Sequence, residues 1–219
     1  MYKIKDMYDL SETIAAELFE GKTYPWEVLA DIGDFIMKLG PTLPQDAFEH
    51  PSDDIWIHKS VTVAKTATLT GPLIIDADTE IRPGAFIRGK VIVGKKCVVG
   101  NSTELKNVVL FNTVQVPHYN YVGDSILGTH SHMGAGSITS NVKADKTLVV
   151  VKNGEEHIET GLKKFGAMIG DYVEVGCNSV LNPGTVIGRN SNIYPLSSVR
   201  GVVAENSIYK DSNHIVKKN

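Results

Sequence analysis

Aliphatic residues recur at every sixth position through three long blocks of this chain. The first block is Ile57, Val63, Leu69, Ile75, Ile81, Ile87, Val93, Val99 and Leu105, and the last is Ile169, Val175, Leu181, Ile187, Ile193 and Val199. Between them the period continues, after slips of one residue, at Leu110, Val116, Val122, Leu127, Met133 and Thr139. Neither an α-helix nor a simple hairpin repeats every six residues. The period predicts short strands separated by turns.

The residues that flank each repeat position fit a coil with tight corners. The residue two before the aliphatic is small or β-branched at most repeats, and a glycine follows the aliphatic at many, such as Gly94, Gly100 and Gly188. Three such strands would close a triangular coil in which each aliphatic points inward and stacks on its equivalent in the next coil. We therefore expect an all-β solenoid of about seven coils.

Residues 1–50 lie outside the repeat and are predicted to form a short N-terminal helical segment, with residues 51–219 forming the solenoid. Ser11 and Glu12 precede a short amphipathic run over 13–19. Pro25 is placed at the start of a second helix, whose apolar residues Trp26, Leu29, Ile32, Phe35 and Ile36 follow at helical spacing, and Gly40-Pro41 ends it. This segment either caps the first coil or docks a partner.

A second interruption covers residues 142–163. Two apolar or β-prone runs, Thr147–Val151 and Glu156–Thr160, flank Asn153-Gly154, which favours a tight hairpin turn. We expect an inserted β-hairpin that leaves the solenoid at this point.

Composition excludes several classes of function. The net charge is −3 and no long basic run is present, which argues against nucleic acid as a partner. No apolar stretch is long enough to span a membrane, and no signal peptide is evident. Two cysteines, Cys97 and Cys177, do not make a disulfide framework, so a cytoplasmic location is expected. Cys97 occupies a packing position of the repeat and is expected in the core.

Two cations are placed to bind a phosphate. Arg88 and Lys106 are 18 residues apart, one coil in the predicted solenoid, and each directly follows an inward aliphatic. They would stack on one outer surface, where paired cations bind phosphate well.

Further along the chain, a group of motifs resembles a known family. The motifs are Gly100-Asn101, Glu104-Leu105-Lys106, His118 with Tyr121, Gly123-Asp124, Gly134-Ala135-Gly136, Asn141, and Lys164-Phe165 before Ile169-Gly170-Asp171. They resemble the C-terminal acetyltransferase domain of bifunctional N-acetylglucosamine-1-phosphate uridylyltransferase/glucosamine-1-phosphate acetyltransferase and the solenoid half of related sugar-phosphate nucleotidyltransferases. The resemblance implies a left-handed parallel β-helix of hexapeptide repeats, an exception to the usual handedness of crossovers.

The resemblance also implies a role for individual residues. Arg88 and Lys106 match cations that bind the sugar-linked phosphate, and His118 matches the general base that takes a proton from the substrate amine. Tyr121 and Asn141 match residues that position the amino sugar and acetyl group. Lys164 and Cys177 match contacts to acetyl-CoA, the expected co-substrate. Such sites lie between solenoids of a homotrimer, and no resident metal is expected.

The chain departs from this family at two positions, with His132 in place of an asparagine and Val142 in place of an aromatic residue. The nucleotidyltransferase domain has no counterpart, so no uridylyltransferase activity is expected. Asp124 is interpreted as a turn former.

Two other functions remain open. A non-catalytic trimeric scaffold, or sugar-nucleotide-binding module of a nucleotidyltransferase system, would use the same solenoid. A zinc-dependent carbonic-anhydrase-like protein would use His118, His130 and His132, although His130 and His132 are two apart and alternate across a strand.

Overall fold

The computed structural model describes residues 1–218, most of which wind into a three-sided left-handed parallel β-helix. We number the faces in the order in which the chain visits them, and each corner takes the number of the face it follows. The first face contains Ile55–His58, Leu73–Ile75, Val91–Val93, residues 108–110, residues 125–127, Ala167–Ile169, Thr185–Ile187 and Val202–Val203. The second contains Thr62–Val63, Glu80–Ile81, Val98–Asn101, Gln115–His118, His132–Met133, Glu174–Val175, Asn192–Ile193 and Ser207–Asp211. The third contains Thr68–Leu69, Phe86–Ile87, residues 104–105, residues 121–122, Ile138–Thr139, Val180–Leu181 and Ser198–Val199.

The strand register confirms the inward stack predicted from the six-residue period. On the first face, Ile57 aligns with Ile75, which aligns with Val93, and the alignment continues through Leu110 and Leu127 to the last coils. Most of these aliphatic side chains are completely buried. Their burial, together with the strand-to-strand hydrogen bonds of neighbouring coils, forms one continuous core.

The slips in the period have a structural cause at the third corner. In two successive coils this corner is one residue shorter, and the chain runs through it as single strands, Glu104–Leu110 and Tyr121–Leu127. The shorter turn places Asn107 (φ 56°) and Asp124 (φ 48°) in the left-handed region. Asparagine and aspartate tolerate that conformation better than most residues.

The N-terminal segment has less α-helix than the sequence predicts. Its α-helices are Ile4–Met7 and Ile32–Leu39, and its 3-10 turns are Leu10–Glu12, Ala16–Phe19, Pro25–Val28 and Gly40–Thr42. The helix expected from Pro25 to Leu39 is divided into the turn Pro25–Val28 and the helix Ile32–Leu39, and between them the Leu29 carbonyl accepts a hydrogen bond from Asn107 Nδ2. The run over 13–19 forms no α-helix: Thr13 Oγ1 accepts from the Ala15 amide, and such local bonds compete with helix formation.

This segment lies along the first face of the solenoid. The outward residues of that face are apolar and aligned coil to coil, and these six are completely buried: Ile74, Ile92, Val109, Ile126, Met168 and Val186. Hydrogen bonds from Asn112 to Glu12 (3.0 Å) and from the Asp9 amide to Asp171 (2.8 Å) fix the segment in place. The end of the first coil is covered instead by strand Phe48–Ser52, which pairs antiparallel with Ile55–His58.

The inserted hairpin is confirmed and pairs Val150–Asn153 with Glu156–Glu159. It leaves the solenoid after Asn141 and passes over the third corner of the last two coils. A Cβ at Gly184 (φ +83°) would lie 2.8 Å from Val149 Cγ1, so glycine is needed where the insertion crosses. Within residues 1–218, no helix is long and apolar enough to cross a membrane.

Candidate active site

A polar cluster occupies the third corner at the two shortened coils. The Asp124 side chain is 4% exposed and accepts hydrogen bonds from Lys106 Nζ (3.1 Å), Asn107 Nδ2 (2.9 Å) and Asn141 Nδ2 (2.5 Å). The 17-residue spacing produced by the shorter corner stacks Gly123-Asp124 on Lys106-Asn107. Asp124 therefore adopts the turn conformation expected of it and also holds three site side chains in place.

Tyr121 joins this cluster from the outer surface of the third face. Asn141 Nδ2 donates to its hydroxyl at 3.1 Å. Burial raises the pKa of the Tyr121 phenol, and the Asp124 carboxylate raises it further, so the side chain stays neutral near neutral pH. A neutral phenol can both donate and accept a hydrogen bond to a ligand on this face.

Arg88 lies one coil below Lys106 at the same corner. Its guanidinium is paired with Glu104 at 2.6 Å and lies 5.8 Å from the centre of the Phe86 ring. The hydrogen bond and charge of Glu104 raise the pKa of Arg88, which keeps the guanidinium charged. The predicted phosphate-binding pair is therefore stacked on one surface, but each cation is held by a carboxylate that the sequence analysis did not place in the site.

His118 lies at the opposite edge of the third face, at the second corner. Its imidazole is exposed and has no hydrogen-bond or ion-pair partner among residues 1–218. The backbone is held instead: the His118 amide donates to Asn120 Oδ1 at 3.1 Å, and its carbonyl accepts from the Gly136 amide at 3.0 Å. Asn120, which is buried, also donates to the Gly134 carbonyl at 2.8 Å. The backbone around His118 is thus fixed while its ring remains available.

The two residues predicted to contact acetyl-CoA lie at different corners. Cys177 is exposed at the second corner, one coil above Gly134-Ala135-Gly136, and the Asn178 amide donates to the Ala135 carbonyl at 2.8 Å. Lys164 lies at the third corner, in a cavity of about 290 Å³ that Lys90 and Lys106 also line. Within one chain, Lys164 therefore lies with Lys106 of the predicted phosphate-binding pair, whereas Cys177 lies at the same corner as His118.

Five polar residues of this site were not predicted as site residues from the sequence: Asn107, Glu104, Asp124, Asn120 and Lys90. The 17-residue interval between Asn107 and Asp124 was the available signal for the first of them. Lys90 lies 17 residues before Asn107 and is aligned with it by the same interval, but its proximity to Lys164 depends on where the insertion returns to the solenoid.

His118, His130 and His132, the three histidines considered as zinc ligands, do not lie together within one chain. His132 Nδ1 lies 2.8 Å from Glu174 Oε2 on the second face, and His130 stacks on Tyr172 at the first corner. In the part of the chain that the structure describes, no group of three or more histidine, cysteine, aspartate or glutamate side chains is placed to hold one metal ion.

The chain is similar in sequence to several known proteins. A family model for the GMPPB C-terminal domain matches residues 69–155. The bifunctional protein GlmU of Methanococcus aeolicus is 33% identical over 191 residues, which cover 78% of this chain and 46% of that protein. The bifunctional sugar-1-phosphate nucleotidylyltransferase/acetyltransferase of Sulfurisphaera tokodaii is 32% identical over 166 residues, covering 68% of this chain and 41% of that protein.

The chain thus spans less than half the length of these curated relatives. A solved hexapeptide transferase family protein from Anaplasma phagocytophilum is 14% identical, with a TM-score of 0.43 over 75% of this chain and 79% of that one. The resemblance inferred from the sequence motifs is confirmed: the chain is a hexapeptide-repeat left-handed β-helix, related to the C-terminal acetyltransferase domain of the bifunctional GlmU proteins.

Proposed function

We propose that this protein transfers an acetyl group from acetyl-CoA to the amine of an amino-sugar phosphate similar to glucosamine-1-phosphate, within nucleotide-sugar metabolism such as the formation of UDP-N-acetylglucosamine. The names of the GlmU proteins and of the Sulfurisphaera tokodaii acetyltransferase support this reaction class. The chain spans only part of those proteins, so the proposal concerns the acetyl transfer alone.

One geometric observation supports the proposal most strongly. His118 and the cation cluster lie on opposite edges of the same face, with Tyr121 between them. A sugar phosphate bound across that face would have its phosphate at Arg88 and Lys106 and its amine toward His118. Lys90 and Lys164 line the cavity beside Lys106 and would add positive charge for the same phosphate.

The chemistry assigned to His118 is general-base catalysis. The amine nitrogen forms a bond to the acetyl carbonyl carbon, the carbon–sulfur bond breaks, and the His118 imidazole accepts the proton released by the amine. Acetyl-CoA supplies the thioester. The His118 imidazole fits this task because no protein group among residues 1–218 forms a hydrogen bond with it. Its ring nitrogens are therefore free to bind the substrate amine.

The acetyl-CoA chain is assigned to the second corner, along Gly134-Ala135-Gly136 and Cys177. Small residues there leave room beside His118 for an extended ligand, and corner amides could stabilise developing negative charge on the carbonyl oxygen.

We propose a homotrimer, in which a neighbouring solenoid covers the second corner where acetyl-CoA is assigned. We also propose a cytoplasmic location, since an exposed free thiol such as that of Cys177 is compatible with a reducing compartment.

The test measures CoA thiol release from acetyl-CoA with a panel of amino-sugar 1-phosphates, using the intact protein and His118→Ala. We expect release with glucosamine-1-phosphate and a loss of about 10²- to 10⁴-fold in kcat for the variant, the usual contribution of a general base. Gln115→Ala, exposed on the same strand, is the matched control and should retain activity. No release with any acceptor, together with no acetyl-CoA binding, would contradict the proposal and leave the scaffold alternative.

A further inference from the structure

A second cavity lies on the third corner, above the proposed active site. Its volume is about 600 Å³, and it is formed between the start of the insertion and the corners of the last two coils. The solenoid contributes Asn182 and Arg200, and the insertion contributes Lys143, Asp145 and Lys152. Its volume lies within the usual range for small-molecule sites.

The side chains of this cavity give it a positive charge. Arg200, Lys152 and Lys143 provide three positive charges against one negative charge from Asp145. That carboxylate is already engaged: it lies 3.4 Å from Lys143 Nζ and accepts hydrogen bonds from the amide and hydroxyl of Thr147. The Thr147 hydrogen bonds lower the pKa of Asp145, so it remains ionised at neutral pH. The net charge of the cavity is therefore +2.

Arg200 is distinguished from the other arginines by its lack of a partner. The sequence contains four arginines, and three of them pair with carboxylates: Arg82 with Glu80, Arg88 with Glu104 and Arg189 with Asp171. Among residues 1–218, no carboxylate lies within ion-pair distance of Arg200. A guanidinium can bind two oxygens of one phosphate at once, which makes it suited to a phosphate ligand.

The insertion positions the remaining cations against the solenoid. Its backbone crosses the third corner so closely that a Cβ at Gly201 would lie 2.8 Å from the Lys152 carbonyl oxygen. The hairpin strand is thereby docked beside Arg200. Without the insertion, the corner would present Arg200 alone to solvent.

We propose that this cavity is a second anion site, which binds a small molecule through a doubly charged phosphate group. The charge of +2 matches such a phosphate, and the cavity is large enough for more of the ligand than the phosphate. The site shares no side chain with the residues assigned to acetyl transfer. Ser140 and Val142, the neighbours of Asn141, line the cavity and connect it to the active site.

The test measures the rate at which phenylglyoxal modifies each arginine of the wild-type protein, resolved by mass spectrometry of the peptides. Inorganic pyrophosphate at ten times its dissociation constant should slow modification of Arg200 by about tenfold, the factor expected for one saturable site. Arg82, on a different corner, serves as the internal control and should not be protected. Parallel samples with ADP, glucosamine-1-phosphate and CoA identify which phosphate compound protects best.

A paired variant provides an independent measurement. The double variant Arg200→Gln/Lys152→Gln should lose the calorimetric signal of pyrophosphate at this site, whereas Arg82→Gln/Lys65→Gln, which removes the same charges elsewhere, should retain it. Unchanged Arg200 modification with every phosphate compound would overturn the proposal. Arg200 protection in a protein that transfers no acetyl group would uphold this site while contradicting the proposed function.

Discussion

Lys106 Nζ lies 3.1 Å from the Oδ1 atom of Asp124, a carboxylate that belongs to the next coil and is almost completely buried. The pair joins the proposed phosphate-binding surface to the interior of the corner, because Asn107 and Asn141 donate to the same carboxylate. A cation that is held in this way needs little reordering when an anion arrives.

Asp124→Asn tests the contribution of this buried charge. It keeps the shape of the side chain and removes the charge opposite Lys106, so we expect the free energy of unfolding to fall by about 2 kcal/mol, below the value for a fully buried pair because Lys106 is partly exposed. Urea denaturation measures the change. Glu104→Gln, which breaks the more exposed pair with Arg88, should cost clearly less, because solvent screens that pair. Equal losses for the two variants would contradict the role assigned to Asp124.

The buried hydroxyl of Tyr8 predicts a specific dependence of stability on pH. Burial raises the pKa of Tyr8 well above its usual value, and Asp171 raises it further. The unfolded chain releases the Tyr8 proton at about pH 10 while the folded protein retains it, so stability is lost as pH rises above 10, by about 1.4 kcal/mol per pH unit. Tyr8→Phe should remove this part of the slope in alkaline denaturation experiments.

Tyr8→Phe should not destabilise the protein at neutral pH. The Tyr8 hydroxyl has no hydrogen-bond partner among residues 1–218. Its removal should leave stability unchanged or raise it by about 1 kcal/mol, because a buried unpaired polar group is costly. Tyr119→Phe, on an exposed tyrosine, is the control. A large loss at neutral pH for Tyr8→Phe would contradict this description.

Helix Ile32–Leu39 allows a comparison of neighbouring positions. Ile36 is completely buried, whereas Met37 is 44% exposed. Ile36→Ala should lower the free energy of unfolding by about 3 kcal/mol, and Met37→Ala by less than about 0.5 kcal/mol. Similar values for the two variants would show that the N-terminal segment does not pack on the first face.

The two cysteines should differ in reactivity. Burial raises the pKa of the Cys97 thiol to about 12, whereas Cys177 is exposed. Iodoacetamide should therefore modify Cys177 rapidly and Cys97 only after unfolding, as measured by peptide mass spectrometry. Acetyl-CoA should slow the modification of Cys177 if it lies along the second corner, as proposed. Unchanged modification at saturating acetyl-CoA would contradict that placement, and the Cys97 rate serves as the internal control.

The sequence by itself determined the solenoid, because each coil repeats one local pattern: an inward aliphatic residue, a small neighbour and a turn residue every six positions. It also predicted the position of the hairpin, since Asn153-Gly154 favours a tight turn whatever surrounds it. The stacking of Arg88 and Lys106 followed from the coil length alone.

Tertiary structure decided the features that depend on contacts between distant segments. Where the expected helix is divided, the Leu29 carbonyl accepts a hydrogen bond from Asn107, 78 residues later, a contact that no local pattern records. The grouping of Lys164 with Lys90 and Lys106 depends on where the insertion rejoins the solenoid, and the cavity at Arg200 depends on how the insertion docks on it. Periodicity specifies what stacks within the repeat, whereas only packing determines where the segments outside the repeat lie.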